Sequence, residues 1–207
     1  MKKNIIFCFF VISLNCYSQK VDTIIHQSVY TSYFNYKLRE PLYVSYKLYK
    51  GGGACSRIGD VFKTGGLKYS ATSNDYIGNG YDEGHYANAE DFAYDCVLQK
   101  NTFFFYNCVP QTPKLNRGCW KSLETQVRKE SQTDSLYIIC GGIFSNKKIG
   151  NIGVPEYCYK IVFSLTTKKV VHSRLFPNDD SDSFIDISLQ SLIKKAAIPQ
   201  WLLLKTN

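Results

Sequence analysis

FFFYNCVPQTPKLNRGCWKSLETQVRKESQTDSLYIIC, residues 103–140, carries a strand candidate, a helix candidate and a second strand candidate in that order. Residues 103–109 are aromatic and apolar, the kind of run that fits a pleated, half-buried surface. Residues 136–140 (LYIIC) form a short apolar run typical of a buried strand. Between them, Trp120, Leu123 and Val127 recur at i, i+3 and i+7, which predicts an amphipathic helix over residues 118–129. Further strands are expected at 157–165 (YCYKIVFSL) and 169–176 (KVVHSRLF). Upstream, residues 42–49 (LYVSYKLY) alternate, so Leu42, Val44, Tyr46 and Leu48 should share the buried face of a half-buried strand. Residues 54–82 read as long loops around short strands, and a second helix is expected near residues 186–196, stopped by Pro199. Strands and helices do not alternate regularly. That argues against a parallel βαβ sheet and for an α+β fold on a central, largely antiparallel sheet with flanking helices.

The whole chain of 207 residues is 44% hydrophobic and 20% charged, which excludes a disordered or collagenous chain. Its formal charge of +8 favours polyanionic partners, although a basic protein that merely stays soluble explains it equally well. Residues 1–18 read as a signal peptide: Lys2-Lys3, then the apolar run Ile5–Leu14, then Cys16-Tyr17-Ser18 with small residues at −3 and −1. The run is too short to span a bilayer, and no other stretch is long enough. Export as a secreted or periplasmic protein is therefore expected, with lipid attachment at Cys16 the lesser alternative. Residues 19–39 read as a lead-in and 40–207 as one domain. Six cysteines follow the leader: Cys55, Cys96, Cys108, Cys119, Cys140 and Cys158. They allow fifteen full pairings, of which one or two bridges are expected. Cys108, Cys140 and Cys158 sit in or beside apolar runs, where a buried free thiol is the plain alternative.

The chemistry concentrates in residues 81–128. Of the three histidines, His26 lies in the lead-in and His172 in a strand pattern, leaving His85 in a loop-like setting. Asn116, Trp120, Glu124 and Arg128 follow at steps of four, so on a helix Asn116, Glu124 and Arg128 form a slowly winding polar stripe. Such a stripe can hold a hard cation and a phosphate together. Spacing alone favours the plainer reading, a solvated helix face with a Glu124–Arg128 pair at i, i+4.

The run Tyr81-Asp82-Glu83-Gly84-His85-Tyr86-Ala87-Asn88-Ala89-Glu90-Asp91-Phe92 resembles the DRGH segment of the DNA/RNA non-specific endonucleases, the ββα-metal nucleases. The resemblance continues in register. Tyr106 to Gln111 is similar to the family's SN-x-x-PQ strand end, and Asn116, Trp120, Glu124 and Arg128 match its N-x-x-x-W-x-x-x-E-x-x-x-R helix. Residues 137–144 resemble the strand that usually ends in TGP, and Val154-Pro155 with Tyr159-Lys160 resembles the VP…FFK strand. The likeness covers roughly residues 40–200 and implies a ββα-metal active-site unit on the antiparallel sheet.

It also implies roles. His85 would be the general base, for which an imidazole titrating near neutrality is suited. Asn116 would be the direct protein ligand of one Mg²⁺, with Mn²⁺ a substitute, and Glu124 would hold the ion's waters. Asn107 would fix the site's geometry or a metal-bound water. Arg128 and Arg57 would neutralise phosphate. The implied activity is hydrolysis of DNA and RNA without sequence specificity, leaving 5′-phosphates, through backbone contacts. A homodimer and an inhibitor protein stay open. Two departures stand out: Glu83 replaces the arginine of DRGH, and GGI replaces TGP at 141–143. An anion beside the base leaves the alternative of a catalytically weakened nucleic-acid-binding protein, and the roles of Asp82 and Glu83 stay open.

Overall fold

The structure, a computed structural model, describes residues 19–203. The leader of residues 1–18, with Cys16, lies outside them. In chain order the elements are β1 (Thr23–His26), β2 (Thr31–Asn35), β3 (Glu40–Leu48), α1 (Ser73–Tyr76), β4 (Asp82–His85), α2 (Cys96–Lys100), β5 (Cys108–Gln111) and α3 (Pro113–Leu115). Then follow α4 (Lys121–Glu130), β6 (Leu136–Ile149), β7 (Ile152–Ser164), β8 (Lys169–Pro177), β9 (Ile185–Asp186), α5 (Leu189–Ala196) and α6 (Gln200–Leu203). Seven strands form one antiparallel sheet in the order β1-β2-β3-β6-β7-β8-β9, and β4 pairs with β5 in a separate two-stranded ribbon. The α+β expectation holds. No helix among the described residues is long and apolar enough to cross a membrane.

The large sheet is covered on both faces. One face carries Val44, Tyr46, Leu48, Leu136, Ile138 and Val162 against Val109 of the ribbon and Trp120, Leu123 and Val127 at α4. The other carries Tyr43, Tyr137, Ile139, Tyr159 and Ile161 against Leu192 and Leu202 of the C-terminal helices and Ile198 between them. Each such side chain, fully buried, contributes roughly 1.5–3 kcal/mol. This layering corrects the half-buried reading of residues 42–49, because β3 is central and nearly all its residues are buried. Leu42 also leaves the face of Val44. The β2–β3 register jumps from Phe34↔Pro41 to Tyr33↔Tyr43, so Leu42 is an extra residue and joins the opposite core.

Three further expectations are revised. Residues 19–39 are part of the sheet, since they supply β1 and β2. Phe103–Phe105 are not a continuous strand: Phe104 makes only an isolated bridge, Phe105 starts a 3₁₀ helix, and strand β5 begins at Cys108. Their rings pack instead on Phe62, Tyr76 and Tyr106. Residues 54–81 contain the short helix α1 and no named strand, only an isolated bridge from Lys63 to Phe104. Cys55 and Cys96 form a disulfide, while Cys108, Cys119, Cys140 and Cys158 are free, with Cys108, Cys140 and Cys158 buried as expected.

Candidate active site

The ribbon and α4 meet over the sheet and enclose a cleft of about 310 Å³ lined by Arg57, Glu83, His85, Asn116, Glu124 and Arg128. Asn88, Glu90, Arg117 and Lys121 complete its wall, none of them singled out from the sequence for a role.

His85 ends β4 opposite Cys108. Its ring lies 4.5 Å from the Phe62 centroid and 4.8 Å edge-on to Phe103. The sequence pattern places Phe103 in a strand and Phe62 among loops; together they form the wall of the base. Nε2 is buried and has no hydrogen-bond partner. Burial, reinforced by the Arg57 charge, pushes the imidazole pKa down to about 3. The near-neutral titration expected of it is thereby corrected: the ring is uncharged at physiological pH and able to accept a proton. Gly84 precedes it because a Cβ there would fall 2.2 Å from Gln111 Oε1.

Asp82 faces away from the cleft and organises Asn116. Its Oδ2 accepts from Asn116 Nδ2 (2.9 Å) and from Arg117 Nε (2.8 Å), while Oδ1 accepts from Arg117 Nη2 (2.6 Å). Burial alone would raise this carboxyl, but the Arg117 and Asn116 hydrogen bonds hold it below the usual range. With its nitrogen committed to Asp82, the Asn116 carboxamide keeps its oxygen for the cleft. Asn116 is not on the same helix as Glu124, contrary to the expected continuous stripe. Residues 116–120 form a wide π turn broken at Gly118 (φ −99°, ψ −117°), and α4 starts after it.

Glu124 is buried at the cleft floor. Asn88 Nδ2 donates to its Oε2, and the Lys160 ammonium lies 3.4 Å from Oε1. Lys160, 1% exposed, also sits 4.3 Å over the Trp120 ring. Burial opposes its charge, but Cys140, Glu124 and Asp91 raise its pKa overall. Arg128 pairs with Asp91 at 2.6 Å, and Tyr46 donates to the other Asp91 oxygen. Burial pushes Asp91 up to about 6 despite Arg128 and Lys160. The Glu124–Arg128 pair that spacing allowed is therefore replaced by two inward pairs. Arg57 pairs with Glu90 at 2.8 Å across the rim.

Asn107 does not reach the cleft. Its carboxamide is fully buried, accepting from Ala87 N and donating to Ala87 O and Thr102 O. It clamps the segment behind His85, which removes contact with a metal-bound water from its expected roles and leaves the geometric one. Glu83 is half-buried and lines the cleft, with burial raising its carboxyl pKa. His172 pairs with Glu130 and His26 contacts Thr31, both outside the cleft. Asp91, Asn88 and Lys160 were missed because their partners lie 36–37 residues away; the VP…FFK resemblance was the one available signal for Lys160.

A family model described as DNA/RNA non-specific endonuclease matches residues 12–194. A nuclease of Nostoc sp. is 38% identical over 97 residues, 45% of this chain and 35% of that protein. Mitochondrial endonuclease G of Bos taurus is 35% identical over 77 residues, 37% of this chain and 26% of that protein. The chain thus spans between a quarter and about a third of these relatives' length. In the solved EndoG/EndoGI complex, an EndoG inhibition structure, a chain superposes with a TM-score of 0.74 at 22% identity, covering 86% of this chain and 85% of that one, a likeness of fold.

Proposed function

The chain belongs to the DNA/RNA non-specific endonuclease family, and from that premise we propose that it hydrolyses the phosphodiester backbone of DNA and RNA, with His85 as general base. The observation that carries this reading is the uncharged imidazole of His85 lining a cleft shared with Asn116, Glu124 and two arginines. The His85 imidazole takes a proton from the attacking water, a contribution worth roughly 10²–10⁴-fold. Arg57 and Arg128 orient the phosphate, each held by a carboxylate partner. Cleavage on the 3′-oxygen side leaves 5′-phosphates.

The residues fit a magnesium ion held mostly by water. The resemblance makes the Asn116 oxygen the protein donor, which Asp82 leaves free by holding the amide nitrogen, with Glu124 holding waters from behind. When bound, the cation stabilises charge on the phosphate oxygens and polarises water toward the leaving group. Charge bookkeeping supports the need for it. Of the residues lining the cleft, Arg57, Arg117, Lys121 and Arg128 are largely offset by Glu83, Glu90 and Glu124. The cleft itself thus carries little of the chain's net +8, so a polyanion gains from an added cation there.

The leader and the Cys55–Cys96 disulfide together support export into an oxidising compartment. Glu83 favours a second reading, a weakened nuclease that chiefly binds nucleic acid, because it brings an anion to the cleft where the family carries arginine. Plasmid nicking and RNA cleavage, with Mg²⁺ and with EDTA, separate the two. The proposal expects both substrates to be cut and EDTA to stop it; binding without cutting would favour the second reading.

A further inference from the structure

After β8 the chain crosses the outside of the segment that carries Asn116, and it grips that segment on both sides. Ahead of Asn116, the buried Asn178 accepts from Thr112 N (2.9 Å) and donates to the carbonyls of Pro110 and Pro155 (2.8 Å each), joining β5 to β7. The next residue, Asp179, accepts the Thr112 hydroxyl on its carbonyl (2.8 Å). Beyond Asn116, Asp182 Oδ1 accepts the Cys119 amide at 2.6 Å, and the Cys119 thiol donates to Ser183 O at 3.4 Å.

The last grip falls where the backbone is least regular. Gly118 is non-helical, so the π turn bearing Asn116 joins α4, bearing Glu124, through a break. The Cys119 amide follows the break just ahead of α4, where a carboxylate satisfies a donor and complements the positive end of the helix dipole. Trp120, the N-cap residue of α4, makes no side-chain cap of its own. Asp182 caps the preceding amide from another part of the chain. It holds a left-handed backbone (φ +48°), uncommon outside glycine. Its carboxylate also fills the space beside Gly118, where a Cβ would fall 2.0 Å from Oδ1.

We propose that Asn178 and Asp182 are positioning residues that set Asn116 relative to Glu124, an inference that rests on reading Asn116 as the cation ligand. Neither touches the cleft; they act through the Thr112–Cys119 segment. Mg²⁺ binding to the full chain by calorimetry, with single-turnover cleavage and the KM for DNA, tests it on Asp182→Ala, Asp182→Asn and Gly118→Ala. Losing a cap corresponds to roughly a five- to tenfold weaker Mg²⁺ affinity. That loss is expected in Asp182→Ala and Gly118→Ala, with a lower kcat and an unchanged KM. Asp182→Asn keeps the accepting oxygen and should bind Mg²⁺ nearly as the parent does. Parent-like Mg²⁺ affinity in Asp182→Ala would overturn the inference, as would an Asp182→Asn variant as weak as Asp182→Ala. A parent protein that binds no Mg²⁺ would overturn the reading of Asn116 and this inference with it.

Discussion

The two sides of the cleft solve opposite problems. On the His85 side the surroundings are aromatic, and one buried nitrogen is left without a partner. On the Glu124 side the groups are charged, and they are engaged: Glu124 by Asn88 and Lys160, Asp91 by Arg128 and Tyr46. The aromatic wall keeps the imidazole uncharged where His85 lines the cleft, free to take a proton. A saturated ionic floor cannot reorganise cheaply and supplies a fixed field. The comparison assigns reaction to the His85 side and electrostatic support to the Glu124 side.

The largest effect is expected on the saturated side. Lys160→Met strands the buried Glu124 carboxylate, and breaking such a pair costs about 3–5 kcal/mol. Arg57→Ala at the exposed rim pair, whose side chains are 47% and 37% exposed, should cost about 1 kcal/mol or less. Urea unfolding of both variants checks the contrast; equal losses would show that the floor is no more constrained than the rim.

Asn116→Ala, between the two sides, should lower Mg²⁺-dependent cleavage roughly a hundredfold or more, since a bound cation supplies several kcal/mol of charge stabilisation. Persistent cleavage with unchanged Mg²⁺ affinity would place the ion elsewhere.

The smallest effect is expected from Glu83→Gln, which removes an anion from the cleft without touching either side's partners. One charge about 8 Å from a phosphate is worth about 2 kcal/mol at an effective dielectric of 20, and salt reduces that to about half. DNA affinity should rise several-fold at low ionic strength and converge with the parent at high salt. If Glu83 instead supports the metal, the Mg²⁺ requirement rises while DNA affinity stays put.

The reactive side was legible through the resemblance, whose motifs are short and local: DEGH around His85, and Asn116 with its spacing to Trp120 and Glu124. The bare pattern reads His85 as loop, where the structure has it ending β4, because a four-residue strand with one glycine shows no alternation. The aromatic wall of that side was not legible, since Phe103 satisfies a strand's composition while packing against an imidazole, and Phe62 sits in a stretch that reads as loop. The ionic side was largely illegible: Glu124 and Arg128 stand four apart and look like a surface pair, but burial turns each toward a partner set by the tertiary fold. The π turn escaped notice because a glycine inside a helical pattern carries no mark of how Asp182 will occupy its missing side chain. In the sheet, the strands at 136–140, 157–165 and 169–176 were legible from their apolar runs. β1 and β2 were missed because they are short and lack a sustained alternation.

The division between the two sides is tested most directly at His85. Single-turnover cleavage and DNA affinity should be measured together for the parent and His85→Ala at saturating Mg²⁺. A general base acts in the transition state, so the account predicts a rate lower by about two decades or more with nearly unchanged affinity. Cleavage by His85→Ala at the parent's rate would contradict it.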